Sequence, residues 1–143
     1  MIVRILPAQI PAYWEVIKFA TVKVDNVAED NLQPYLLRLL HLLLNGKIQC
    51  FVKFDEDKTL TRLMITEIVV NKIEMKKYLL VQCLYSFVGE SDLKVWEKDW
   101  KFIQQFADSV DCEYISFESS NDRVSEIGKA VGFKENFKSF VLK

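Results

Sequence analysis

A carboxylate stands inside an apolar, strand-like run of this chain. Glu67 lies between Thr66 and Ile68 in the stretch from Leu60 to Val70. A carboxylate that an apolar strand holds beside a substrate can accept a proton, so Glu67 is a candidate general base. Side chains alternate along a strand, so Glu67 could equally face solvent. Both interpretations stay open at this point, and Glu118, at the end of a later strand-like run, is a weaker candidate for the same role.

The single histidine and the isolated cysteines exclude several common kinds of site. His41 lies in a leucine-rich run, where an ordinary helix residue is the simpler interpretation, and a Ser/His/Asp set has no other histidine to use. Cys50, Cys83 and Cys112 stand apart in apolar stretches and form no CxxC pair. We therefore expect buried, reduced thiols and no metal site.

Periodicity and turn residues predict the elements that position these side chains. The predicted strands are Ile2–Leu6, Ile48–Phe54, Leu60–Val70, Lys77–Val88 and Glu113–Glu118, with a hairpin through Gly132 whose last strand is Phe137–Leu142. The predicted helices are Tyr13–Lys23, Leu36–Leu44, one from Ser91 or Asp92 to about Ser109, and Asp122–Ala130. The order β-α-α-β-β-β-α-β-α-β-β indicates an α/β (α+β) fold with a mixed central sheet, as a single domain over residues 1–143.

Charge and hydropathy set limits on the partners. The formal net charge of -1 argues against a general nucleic-acid binder, and the cluster Lys72, Lys76 and Lys77 is typical of a solvated turn. The most apolar run, Tyr35 to Leu44, is shorter than the roughly 20 residues of a membrane span. The start, Met1 to Pro7, is strand-like and does not look like a signal peptide. We expect a cytoplasmic protein without a membrane partner.

Two helices carry more apolar surface than a small monomer easily covers. Leucines lie on nearly every face of the helix Leu36–Leu44, and Trp96 and Trp100 add an aromatic stripe to the long helix. A helix that is apolar all round is buried or is covered by a partner. The sequence therefore predicts a protein partner or a homo-oligomer.

The C-terminal part of the chain resembles a known superfamily. Asn121 follows a predicted strand, Val124 lies three positions later, and Gly132 and Phe133 lie eleven and twelve positions later. This spacing, together with the element order, resembles the GNAT superfamily of N-acetyltransferases. The run Thr66-Glu67-Ile68, the turn Gly89-Glu90, and Trp100, Ala107 and Cys112 resemble a divergent branch often encoded by bacteriophages. A phage origin would place the protein in the host cytoplasm or the virion.

The resemblance implies a site for acetyl-coenzyme A. In such proteins backbone N–H groups between the fourth strand and the next helix bind the pyrophosphate, and the fourth strand hydrogen-bonds the pantetheine arm. The matching residues here are Val81 and Cys83 on the strand, Gly89, Glu90 and Ser91 in the turn, and Asn121 after the fifth strand. Glu67 would be the base.

Two departures weaken that implication. The turn has one glycine and places the carboxylates of Glu90 and Asp92 where the family binds phosphate. The position seven residues after Asn121, a tyrosine that acts as general acid in many members, is Gly128. We therefore expect a GNAT-like binding or structural protein without a cofactor. The alternative is an active N-acyltransferase that uses acetyl-coenzyme A and an unidentified amine.

Overall fold

The computed structural model describes residues 1–88, 93–118, 122–136 and 139–143, without the side chains of residues 93–96, 122 and 123. Within this part of the chain a sheet of five strands runs in the order β1-β2-β3-β4-β5. The strands are β1 Ile2–Ile5, β2 Ile48–Phe54, β3 Leu60–Asn71, β4 Lys76–Ser86 and β5 Tyr114–Phe117. The α-helices are α1 Ile10–Asp25, α2 Leu32–Leu44, α3 Leu93–Ser109 and α4 Asp122–Ala130.

Local signals explain where the first two helices begin and end. Pro11 stands in the first turn of α1, where its missing N–H is not needed by the helix. Asn26 ends α1 in the left-handed conformation at φ 48°. After α2, Gly46 has a φ of 68°, which is favourable for glycine, and lets the chain turn back into β2.

The direction of the strands follows from their connections. Short turns join β2 to β3 and β3 to β4, and these pairs are antiparallel, as is β1 with β2. The helix α3 carries the chain from β4 to β5, and this pair is parallel. The mixed α/β sheet that the sequence predicts is thus confirmed.

The sheet separates two apolar cores. The first core joins α1 and α2 to one face of the sheet, with Ile17, Leu43, Cys50 and Ile65 among its buried residues. The second joins α3 and α4 to the other face, with Phe51, Leu79, Ile103 and Ile127 among its buried residues. We call the two faces of the sheet the α1/α2 face and the α3/α4 face, after the helices that cover them.

The chain after α4 differs from the prediction. No strand forms in residues 131–136 or 139–143, and Phe137 and Lys138 lie outside the described residues. Phe140, Val141 and Leu142 are almost fully exposed. A strand persists only when a neighbouring strand satisfies its backbone, and among the described residues the sheet consists of β1 to β5 alone.

The helices in the described residues are too short or too polar to cross a membrane.

Candidate functional site

The most evident opening in the sheet lies between β4 and β5. Their pairing begins at Tyr78 with Tyr114 and ends at Val81 with Phe117. β5 stops there, whereas β4 continues to Ser86. In the described part of the chain, residues from Cys83 to Ser86 therefore pair only with β3. Their other edge presents backbone N–H and C=O groups to a gap between the two strands.

A β-bulge lies at the start of this gap. Ile65 of β3 faces Cys83 and Thr66 faces Val81, so Gln82 is the extra residue on β4. A bulge leaves one residue out of the ladder and turns the strand. Val81 consequently packs in the α3/α4 core, whereas Cys83 packs in the α1/α2 core. Side chains two positions apart lie on the same face of a regular strand, so the bulge is what places Val81 and Cys83 on opposite faces.

Glu67 lies next to this bulge. It faces Ile48 on β2 and Leu80 on β4, which places it on the α1/α2 face, and it is half-buried. The side-chain amide of Gln82 donates a hydrogen bond to Glu67 Oε2 at 2.5 Å. Glu67 is thus neither fully buried nor free in solvent. The bulge residue orients its carboxylate.

The predicted cofactor residues on β4 are both buried through their side chains. Val81 and Cys83 are 4% and 5% exposed. Burial raises the pKa of the Cys83 thiol to about 12, with smaller contributions from Asp25 and Cys50. The thiol is therefore protonated at neutral pH, and only the backbone of Cys83 is available at the open edge.

A second polar pair lies over β4 on the α1/α2 face. The Tyr35 hydroxyl donates to Asp25 Oδ2 at 2.5 Å, and its contact with the Thr21 carbonyl oxygen is longer at 3.4 Å. Burial, and then the Asp25 carboxylate, raise the pKa of Tyr35 well above its ordinary value. The carboxylate also acts on the Cys83 thiol, so the pair lies close to the bulge. Sequence reasoning missed this pair because α1 and α2 meet only in the fold.

Buried charges fix α3 above the sheet. Asp99 is 4% exposed, and it accepts from Lys53 Nζ at 2.7 Å and pairs with Arg62 Nε at 3.0 Å. All three side chains line a cavity of about 20 Å³, close to the size that holds one water molecule. Lys53 and Arg62 face each other on β2 and β3, so the pairs connect α3 to two strands. No sequence motif indicated this network.

The remaining predicted site residues are not placed. Gly89, Glu90, Ser91 and Asn121 lie outside the described residues, so the pyrophosphate turn stays a prediction. Glu118 is exposed just beyond β5. In the described ranges, no three His, Cys, Asp or Glu side chains gather to hold a metal ion.

Aromatic rings fill the space between the end of β5 and α4. We call Trp100, Phe117 and Phe133 the aromatic cluster. The Phe133 ring lies 4.7 Å from that of Trp100 and 4.9 Å from that of Phe117, between centroids. A Cβ atom built on Gly128 would lie 2.4 Å from Phe117 Cζ. The Phe117 ring therefore occupies the space into which any side chain at position 128 would project.

One polar atom of the aromatic cluster has no partner among the described residues. Trp100 is 4% exposed, and its buried Nε1–H meets no hydrogen-bond acceptor in that part of the chain. A buried donor without an acceptor costs about 1–3 kcal/mol. The sequence suggested that a partner covers the stripe containing Trp100, whereas the Trp100 side chain is buried within the chain itself. No sequence pattern indicated the unsatisfied indole.

Comparison with known proteins identifies the architecture. No protein-family model and no curated protein matches the chain. Among solved structures, a probable acetyltransferase is similar at a TM-score of 0.75 and 14% identity, over 100% of this chain and 97% of the other. A ribosomal-protein-alanine N-acetyltransferase from Brucella melitensis biovar Abortus 2308 is similar at 0.71 and 9%, over 100% and 99%. An aminoglycoside N-acetyltransferase in complex with CoA is similar at 0.73 and 11%, over 100% and 93%.

These neighbours are GNAT acetyltransferases, and their identities are too low to carry a function across. The similarity covers the whole chain, including its mixed sheet. The chain has the GNAT fold.

Proposed function

We propose that this protein acts by binding and does not carry out acid-assisted transfer of an acetyl group. The contact between Phe117 and Gly128 carries this proposal. Acetyl transfer from a thioester produces a thiolate, which a nearby acid has to protonate. Gly128 cannot donate a proton, and Phe117 fills its space with an apolar ring. The backbone edge of β4 suits a pantetheine arm, whereas Gly128 and the Phe117 ring beside it offer no acid to protonate the thiolate.

The surface of α2 supports a binding role. Leu39 and Leu43 are buried against the sheet, whereas Leu37, Leu42 and Leu44 are 66%, 41% and 44% exposed. Exposed leucines grouped on one helix are typical of a contact with another protein or with a second copy. The resemblance to phage-encoded proteins makes a virion or host protein a partner to test.

An active N-acyltransferase is the second candidate, and the Glu67–Gln82 hydrogen bond favours it. Glu67 is held at the bulge, next to the open edge of β4. In such a reaction Glu67 would take a proton from a bound ammonium group. The neutral amine would attack the thioester carbonyl, a C–N bond would form as the C–S bond breaks, and the proton that the nitrogen loses would pass through solvent to the departing thiolate. The acid that protonates the thiolate is missing at position 128.

One pair of measurements separates the two candidates. Calorimetry with acetyl-coenzyme A reports cofactor binding, and a thiol reagent reports coenzyme A released in the presence of a panel of primary amines. The proposed binding function predicts no amine-dependent release above that of the Glu67→Gln variant. Release that depends on an amine and is lost in Glu67→Gln, with the fold unchanged, would instead establish the transferase.

A further inference from the structure

We propose that the tip of the β3–β4 hairpin binds an anionic membrane surface, into which Ile73 and Met75 insert while lysines beside them meet the lipid headgroups. We call residues 70–77 the hairpin tip. This contact is separate from the gap beside β4 and from the leucines of α2, so it adds a lipid partner to the binding role proposed above. The expectation of no membrane partner rested on the lack of a spanning run, which a surface contact does not need.

The hairpin tip projects beyond the neighbouring strand. The last pair between β2 and β3 is Ile48 with Glu67, and the pairs of β4 with β5 begin at Tyr78. Among the described residues, positions 68–71 of β3 therefore pair with β4 alone. Four residues of a strand span about 13 Å, so the turn lies at least that far beyond the end of β2.

Large apolar side chains occupy the turn itself. Ile73 is 95% exposed and Met75 is 76% exposed, and Val70 beside them is 49% exposed. Asn71 Oδ1 accepts hydrogen bonds from the N–H groups of Ile73 at 3.0 Å and Glu74 at 3.1 Å, which fix the turn. Met75 has a φ of 58°, a left-handed conformation that glycine or asparagine adopts at lower cost. The turn thus presents apolar side chains, already ordered, where small polar residues would suit its backbone better.

Basic side chains flank the apolar ones. Lys72 and Lys76 are exposed and Lys77 is half-buried, and the tip contains one acidic residue, Glu74, whose carboxylate lies 3.9 Å from Lys76 Nζ. Glu113, whose N–H donates to the Lys77 carbonyl oxygen at 2.7 Å, lies at the base of the tip. The tip itself therefore has a net positive charge, which is complementary to the negative surface of a membrane that contains anionic lipids.

Area and charge favour a lipid surface over a protein. A specific protein interface needs about 800 Å² on each side, from roughly 20–30 residues, which is far more than residues 70–77 offer. A second copy would bring the same lysines, or the basic Arg38 and His41 of α2, against those of the tip. A bilayer needs no matching surface, because apolar side chains enter the acyl boundary while ammonium groups stay at the headgroups.

The end of the chain is the competing apolar segment. Phe140 and Leu142 are 88% and 99% exposed, and residues 139–143 belong to no helix or strand. Ordering such a segment on a membrane would oppose binding, whereas the hydrogen bonds of Asn71 already hold the turn. The hairpin tip is therefore the better prepared of the two, and the test includes both.

Cosedimentation with lipid vesicles tests the contact. Vesicles of phosphatidylcholine, with and without phosphatidylserine, are titrated into the wild type, Ile73→Ser/Met75→Ser and the matched control Phe140→Ser/Leu142→Ser. All four positions are exposed, so the fold should stay intact, which circular dichroism checks. We expect the wild type and the control to bind phosphatidylserine vesicles alike. The tip variant should bind at least about tenfold more weakly, because two apolar side chains no longer leave water.

Single charge changes test the role of the lysines. Lys72→Gln should weaken binding to phosphatidylserine vesicles about fivefold, and Glu74→Gln should strengthen it by a similar factor. Added salt should weaken the binding of the wild type, because salt screens exposed charges. Vesicles of phosphatidylcholine alone should bind more weakly than those with phosphatidylserine.

Three results would overturn the contact. The first is a wild type that does not bind phosphatidylserine vesicles, or binds them no better than Ile73→Ser/Met75→Ser does. The second is loss of binding in Phe140→Ser/Leu142→Ser alone, which would assign the contact to the end of the chain. The third is an effect of Lys72→Gln without any effect of the tip variant, which would mean adsorption by charge without insertion. None of them bears on the proposed role of α2, since no variant alters that helix.

Discussion

The side chain of Phe117 lies against Gly128, and this one contact bears on both the packing of α4 and the chemistry open to the protein. Glycine is a poor helix former, costing about 1 kcal/mol relative to alanine in the middle of a helix. It is nevertheless found inside α4, which spans Asp122–Ala130. The Phe117 ring explains its presence, because no side chain fits between this ring and the helix. Under the binding function that we propose, the same contact also leaves no general acid at position 128.

The effect of a substitution at Gly128 on the free energy of unfolding should reverse its sign when the Phe117 ring is removed. We expect Gly128→Ala to lower the free energy of unfolding by about 1–3 kcal/mol through overpacking, which exceeds the gain in helix propensity. In a Phe117→Ala background the same substitution should stabilise by up to about 1 kcal/mol. Urea unfolding of the four proteins measures both values. A stabilising effect in the wild-type background would show that the ring is free to move aside.

The buried thiols of Cys50 and Cys83 predict how the free energy of unfolding changes at alkaline pH. Burial raises the pKa of Cys50 and of Cys83 to about 12, whereas an exposed cysteine titrates near 9. Their contribution to stability is complete below pH 9 and is lost as the pH rises towards 12, because only the unfolded chain ionises readily. We expect the slope of unfolding free energy against pH in this range to be shallower in Cys50→Ala/Cys83→Ala. Tyr35→Phe is the control, because burial and the Asp25 carboxylate also raise the pKa of Tyr35, so that the unfolded chain ionises there before the folded one.

At the scale of the elements, the ion pairs of Asp99 with Lys53 and Arg62 connect α3 to β2 and β3. Removing one partner of a buried ion pair leaves an uncompensated charge and costs about 3–5 kcal/mol. We expect that loss for Asp99→Asn, which leaves Lys53 and Arg62 without this carboxylate. Glu15→Gln is the matched control, because Glu15 pairs with Lys18 at 2.9 Å on the surface, where an ion pair contributes under about 1 kcal/mol. Similar losses in both variants, measured by chemical denaturation, would contradict a structural role of the network.

The bulge at Gln82 sets which face each later residue of β4 occupies. Deleting Gln82 would restore regular pairing, in which Val81 and Cys83 become adjacent along the strand and keep the opposite faces that they occupy now. We expect the deletion variant to keep cooperative unfolding, as measured by calorimetry. Gln82→Ala keeps the extra residue and should fold normally as well. Loss of the cooperative transition in the deletion variant, but not in Gln82→Ala, would mean that the bulge itself is needed for folding.

Elements with strong local signals could be predicted from the sequence, whereas their contacts could not. The bounds of α4 agree with the prediction, and β2 does as well, since turn residues and periodicity mark their ends. The bulge could not be predicted, because β4 is apolar on both faces and alternation carries no information there. Asp99 and Asp25 find their partners only through packing between distant segments. The site is therefore the part of the molecule that sequence patterns describe least.

On the scale of the whole molecule, the unpaired surface of α2 predicts how copies of the chain behave in solution. Leu37, Leu42 and Leu44 lie outside both cores, and α2 carries two basic side chains, Arg38 and His41, and no acidic one. We expect concentration-dependent self-association in sedimentation velocity, because burying exposed leucines on a second copy is favourable at about 25 cal/mol per Å². Leu37→Glu should shift the protein to the monomer. Val70→Glu, at the 49% exposed Val70 of β3, should not. If the wild type is monomeric at every concentration, the exposed leucines do not form a contact between copies, and a different protein is the partner to test. If Val70→Glu alone dissociates the oligomer, the contact lies at the β3–β4 end of the sheet.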